Sequence, residues 1–68
     1  MNMVPVNSSN LAAVGYECGT LRILFNSGWM YDYMGVPEDV YVNLLNASSK
    51  GSYHAAHIKN SYPYRRIR

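Results

Sequence analysis

The chain has 68 residues, 49% hydrophobic and 15% charged, a composition that belongs to a folded chain and excludes a disordered one; the length allows one small domain. So short a chain leaves much of its surface exposed and has little stability to spare, which excludes a large enzyme site enclosed by a single copy. The net charge of +2 names no partner, and the single cysteine, Cys18, excludes an internal disulfide framework.

Residues 1–10 lack the basic start and apolar run of a signal peptide, and no stretch approaches the roughly 20 apolar residues of a membrane span. With one cysteine a reducing compartment fits, so a cytoplasmic chain is expected, in the host cytoplasm if it is phage-encoded. Val4 to Asn7 is a candidate extra strand ahead of a meander. From Leu11 to Met34 the apolar pattern has period two, broken at short intervals by turn residues, which predicts antiparallel strands in hairpins.

The first strand of the meander is Leu11 to Glu17. Cys18-Gly19 supplies a tight turn, in which Gly19 takes the positive φ. In Thr20 to Asn26, Leu21, Ile23 and Phe25 share one face, while Arg22, Leu24 and Asn26 share the other. Asn26-Ser27-Gly28 turns the chain again. Trp29, Tyr31 and Tyr33 then alternate with Met30, Asp32 and Met34, and the face carrying Asp32 is expected to be the wetter.

Gly35-Val36-Pro37 ends the meander, because Pro37 lacks the N–H of a central strand and suits the first turn of a helix. A main helix is predicted from Pro37 to Ala47, with Glu38 and Asp39 favoured by its dipole and Val40, Leu44 and Ala47 as an apolar stripe flanked by Tyr41 and Leu45. Leu21, Phe25, Leu44 and either Tyr41 or Val40 are the expected core. Ser49 or Ser52 caps a shorter helix reaching about Asn60, with Tyr53, Ala56, His57 and Ile58 as inner candidates. Tyr62 to Arg68 reads as an extended tail, since Pro63 biases Tyr62 away from helix. Residues 1–7 and 66–68 are expected to be loose ends. The fold class is therefore α+β, a three- to four-stranded antiparallel meander covered by one main helix and a shorter C-terminal one, in a single domain spanning residues 1–68.

Charge is divided unevenly. Residues 1–49 carry −3, whereas residues 50–68 carry +5 through Lys50, Lys59, Arg65, Arg66 and Arg68 with no acid among them. A local field at a binding surface matters more than the molecular sum, so an anionic partner is expected at the C-terminal third.

Several short patterns occur together in order: Ser8-Ser9 with Val14-Gly15-Tyr16-Glu17, Phe25-Asn26-Ser27-Gly28, Tyr31-Asp32-Tyr33, Val36-Pro37, Ser49-Lys50-Gly51, and Ile58-Lys59 followed by Tyr62-Pro63-Tyr64-Arg65. In these the chain resembles, from Ser8 to Ile67, the KTSC domain, a short module found at the C-terminus of some lysyl-tRNA synthetases and as a free-standing small protein. The resemblance implies a small α+β domain with a suggested RNA-binding role and no catalytic residues. Two positions depart from the family pattern: His54-Ala55 stands where an aromatic residue and an Asn are usual, and Lys59 stands where Arg is common.

In the basic third, Arg grips phosphate through its planar fork and Lys adds a point charge, while interleaved tyrosines offer rings for stacking on bases. The candidate ligand-binding residues are Lys50, Lys59, Tyr62, Tyr64, Arg65 and Arg66, joined by Tyr31 and Tyr33 from the third strand. Arg65, held by the restricted backbone of Tyr-Pro-Tyr, is expected to bind more strongly than Arg68 at the chain end. His54 and His57, three apart, share a helix face, but one cysteine and no paired ligand spacing give a poor metal signal. No nucleophile elbow, glycine-rich phosphate loop or paired-carboxylate motif occurs, so neither catalysis nor a cofactor is expected. The expected function is non-enzymatic binding of a phosphate-bearing ligand, with RNA as the resemblance implies. An alternative is a homo-oligomer that sequesters a small nucleotide-type signalling molecule, as phage anti-defence proteins do. A further alternative is a protein-interaction module using Trp29, Met30 and Met34.

Overall fold

A computed structural model describes residues 1–68. Its five strands are β1 (Val4–Pro5), β2 (Leu11–Glu17), β3 (Thr20–Phe25), β4 (Met30–Tyr33) and β5 (Tyr64–Arg66), with α1 (Glu38–Asn46) and α2 (Lys50–His57) between β4 and β5. They form one antiparallel sheet in the order β1-β2-β3-β4-β5. Turn chemistry sets the hairpins. Glu17 pairs with Thr20 across a two-residue turn in which both Cys18 (φ 50) and Gly19 (φ 83) are left-handed, the backbone that best matches the twist of flanking strands.

The expected three- to four-stranded sheet is thus a five-stranded one. Tyr64–Arg66, read from the sequence as part of a tail, pairs with β4 from Tyr31 to Tyr33. The pairing continues past the strand, since Ile67 N–H donates to the Met30 carbonyl and Met30 N–H donates to Arg68. Residues that look like a frayed end in isolation are held because β4 would otherwise leave its outer N–H and C=O groups unpaired.

One face of the sheet carries the core. Leu11, Val14, Leu21, Ile23 and Tyr33 from the strands meet Val36, Leu44 and Ile58, all buried. Leu21 and Leu44 take the buried places expected of them, with Val40 and Tyr41 half-buried beside them. Phe25, expected in the core, is only half-buried, because it lies at the margin where α2 leaves the sheet open. Tyr16 ties β2 to the start of α1: its hydroxyl donates to the Val36 carbonyl at 2.6 Å and its ring stacks on Tyr41.

Helix α2 begins as anticipated, with the Ser49 hydroxyl accepting from Ser52 N–H. Its inner face differs from the expected one. Ile58 is buried and Tyr53 half-buried as expected, but the third inward residue is His54, four positions before Ile58, whereas Ala56 and His57 face solvent.

The opposite face of the sheet is drier than expected at Asp32, which is 5% exposed. Register explains it: Arg22 lies directly across on β3, and its Nε and Nη2 donate to the two carboxylate oxygens at 2.8 and 3.0 Å. On the same face the N-terminal segment crosses β2 so closely that a Cβ on Gly15 would stand 2.8 Å from Met3 Sδ and 2.9 Å from the Asn2 carbonyl. No helix is long and apolar enough to cross a membrane.

Candidate functional site

Alternation along β3, β4 and β5 decides which side chains meet. Phe25, Tyr31, Tyr33 and Tyr64 fall on the helix side of the sheet, and α2 supplies Gly51, His54 and Ala55 opposite them. Asn10, before β2, and Lys59, after α2, complete an open cleft of about 320 Å³. No carboxylate lines it.

Its walls are aromatic. Tyr31 and Tyr64 stack face to face, ring centroids 5.3 Å apart and 9° from parallel, and Tyr31 also meets Phe25 edge-on at 5.7 Å. Beyond the cleft the same face continues to Trp29, 47% exposed, with the Arg66 guanidinium 4.1 Å from its ring centre.

The floor is polar and built from two buried groups. Tyr33 Oη and His54 Nε2 are 2.8 Å apart, and the His54 ring sits edge-on to both Phe25 and Tyr33. Burial pushes the Tyr33 phenol up to about 12, with the neighbouring tyrosines Tyr31 and Tyr64 adding to the shift. Burial pushes His54 below its ordinary value, helped by the positive charge of Lys59. The hydroxyl and the imidazole nitrogen satisfy one another, whichever of the two donates. Nδ1 has no hydrogen-bond partner in the chain, and no sealed side-chain polar atom lacks one, so Nδ1 is not sealed from solvent.

Of the residues proposed from the sequence, Tyr31, Tyr33, Tyr64 and Lys59 come together here. Arg66 lies on the same face but beyond the cleft, over Trp29. Lys50 borders a separate recess and donates to the Ala47 carbonyl at 3.1 Å. Tyr62 packs half-buried against the core. Arg65 is paired in register with Asp32, so strand alternation turns it to the far face, away from Lys59. One residue of strand register thus separates Arg65 from the cleft.

Reading the sequence did not select Asn10, Phe25, Gly51, His54 or Ala55 for this site. For His54 a signal existed, since it stands four residues before Ile58 on a helix, where an apolar stripe needs an inward residue, and a buried tyrosine across from it needs a polar partner. His54 and His57 do not share a site: His57 is exposed against Tyr53, and no three His, Cys, Asp or Glu side chains gather anywhere in the fold. Trp29 and Met30 turn to opposite faces, so they do not form one apolar patch.

The architecture defines a small α+β domain, one antiparallel sheet with two helices, that keeps an aromatic cleft open between sheet and second helix. Residues 7–62 match the KTSC domain, and the chain belongs to that family. A KTSC domain protein from Yersinia pestis, solved by crystallography, superimposes with a TM-score of 0.91 at 36% identity, covering 98% of this chain and 97% of that one. An uncharacterized protein of Stutzerimonas stutzeri is 42% identical over 53 residues, 75% of each chain. The lysine–tRNA ligase of a Nostoc species is 42% identical over 48 residues, which is 71% of this chain but only 9% of the ligase.

Proposed function

We propose that this domain is a non-enzymatic module that binds single-stranded RNA through the aromatic cleft. The observation that carries the reading is the Tyr31–Tyr64 stack, open to solvent at Tyr64 (56% exposed), with Lys59 on the rim and no carboxylate in the lining. Unstacked bases bind on aromatic faces beside cations that take the phosphates, and a base within a duplex offers no such face. The relationship to a stretch of lysine–tRNA ligases, proteins whose name places them on a tRNA, supports RNA as the polymer. A small nucleotide-type signalling molecule held in a homo-oligomer uses the same cleft chemistry, and binding measurements separate the two. Fluorescence anisotropy with labelled single-stranded eight-residue RNAs at low salt is expected to show binding. Tyr64→Ala is expected to weaken it by about tenfold or more, the loss of one stacked base. Absence of binding by every oligonucleotide, with a nucleotide co-purifying in native mass spectrometry, would replace RNA by the small ligand.

A further inference from the structure

Beside the aromatic cleft lies a second recess of about 220 Å³, lined by Asn7, Ser8, Ser9, Ser48, Ser49 and Lys50 and containing no hydrophobic residue. Consecutive residues border the two openings: Ser9 and Lys50 belong to the recess, Asn10 and Gly51 to the cleft. Between them the side chain of Asn10 lies against the backbone of Gly51, where a Cβ would stand 3.0 Å from Asn10 Nδ2. The absence of a side chain at residue 51 keeps this saddle low.

The recess is rich in unused donors. Ser8 Oγ already accepts from the N–H groups of Asn10 and Leu11 at 3.2 Å, so its hydroxyl proton is available to another acceptor. Ser9 and Ser48 make no side-chain hydrogen bond within the protein, and Lys50 uses one of its three ammonium donors on Ala47. No carboxylate borders the recess. A ring-lined cleft with His54 in its lining therefore adjoins a small, cationic, hydroxyl-lined hollow.

We infer that the two hollows form one bipartite site for a dinucleotide unit, with one base in the aromatic cleft and the adjoining phosphate and ribose in the serine-lined recess. The inference rests on the nucleotide chemistry proposed for the cleft and adds the second hollow, its contacts and the length of ligand it takes. Phosphate oxygens and ribose hydroxyls accept from Lys50, Ser8, Ser9 and Ser48, while a lone base has nothing to offer them.

The test is calorimetric titration of the full chain with adenosine 3′- and 5′-monophosphates, the dinucleotide ApA and an eight-residue oligo(A). Wild-type protein is expected to bind ApA about tenfold or more tightly than either monophosphate. Lys50→Ala and Ser9→Ala, each checked for an unchanged circular dichroism spectrum, are expected to remove most of that gain, weakening ApA by more than either monophosphate. Equal affinity for ApA and the monophosphates, or a gain that survives in both variants, overturns the bipartite site. Under that outcome tight binding of oligo(A) still upholds the RNA reading. If ApA shows the gain and oligo(A) binds no more tightly than ApA, the bipartite site stands and its ligand is a free dinucleotide instead of a strand. Failure of all four ligands to bind overturns both readings.

Discussion

At the scale of single residues, the floor of the cleft sets a pH window for the fold. His54 is held below its ordinary 6.5 in the folded protein by burial and by Lys59, so as pH falls the unfolded chain takes up the proton first. The stability contributed by neutral His54 is present above about pH 6.5 and is lost as pH falls below it toward the folded value. Tyr33 acts at the other end: raised from 10.0 to about 12, it keeps its proton in the fold after the unfolded chain has lost it, and stability falls between those values. Urea denaturation at pH 7.5 and pH 5 is expected to show a larger loss on acidification for wild type than for His54→Gln. Equal losses would mean that His54 is as solvated in the fold as in the unfolded chain. On the other face, Asp32 is buried against Arg22, whose guanidinium is pushed above its ordinary value by the hydrogen bond to Asp32, in spite of its own desolvation. Removing one partner of a buried pair leaves a charge without compensation, but the Arg22 side chain is 31% exposed and water moderates the loss. Arg22→Met is expected to cost about 2 kcal/mol in chemical denaturation, and Arg22→Lys, which keeps the charge but loses the fork, somewhat less.

At the scale of elements, β5 does two jobs. It closes the outer edge of β4 and brings Tyr64 over Tyr31, so the edge strand is also a wall of the cleft. Four hydrogen bonds lie outside the ladder proper, from Met30 N–H to Arg68, from the N–H groups of Ile67 and Arg68 to Met30, and from Met34 N–H to Pro63. At about 0.5–1.5 kcal/mol net for each hydrogen bond, and after allowing for the chain entropy released, a protein ending at Pro63 is expected to be about 2–4 kcal/mol less stable. That is a large share of what so small a domain holds. An unchanged urea midpoint for the shortened chain would show that β5 merely rests on the sheet.

At the scale of the whole molecule, the charge split of the sequence becomes a split between faces. Residues 50–68 carry +5, but only part of that charge stands near the cleft: Lys59 on its rim, Lys50 at the adjoining recess and Arg66 over Trp29. Arg65 faces the other way, beside Asp32. RNA affinity is therefore expected to fall with salt at a logarithmic slope of about −2, against roughly −3.5 if all five cations met phosphate on a single strand. Lys59→Ala is expected to weaken binding by about tenfold to a hundredfold, while Arg65→Ala leaves it within about twofold of wild type. Equal losses in the two variants would mean that the strand wraps around β5 to reach both faces.

The order and kind of the elements as far as α2 were legible in the sequence, because period-two alternation, glycine turns, Pro37 and the Ser49 cap are local signals that act over a few residues. Four of the cleft residues, Tyr31, Tyr33, Tyr64 and Lys59, were legible too, from aromatic alternation and the cluster of cations. Tertiary structure alone decided that the tail is a strand, since its hydrogen-bond partners are the unpaired edge of β4, more than thirty residues earlier. It alone placed Arg65 and Arg66 on opposite faces, because a three-residue segment carries no periodicity of its own and takes its register from β4. The Arg22–Asp32 pair and the Tyr33–His54 floor have the same origin. Each joins residues 10 and 21 positions apart, and only the packed sheet and helix bring their partners within hydrogen-bonding distance.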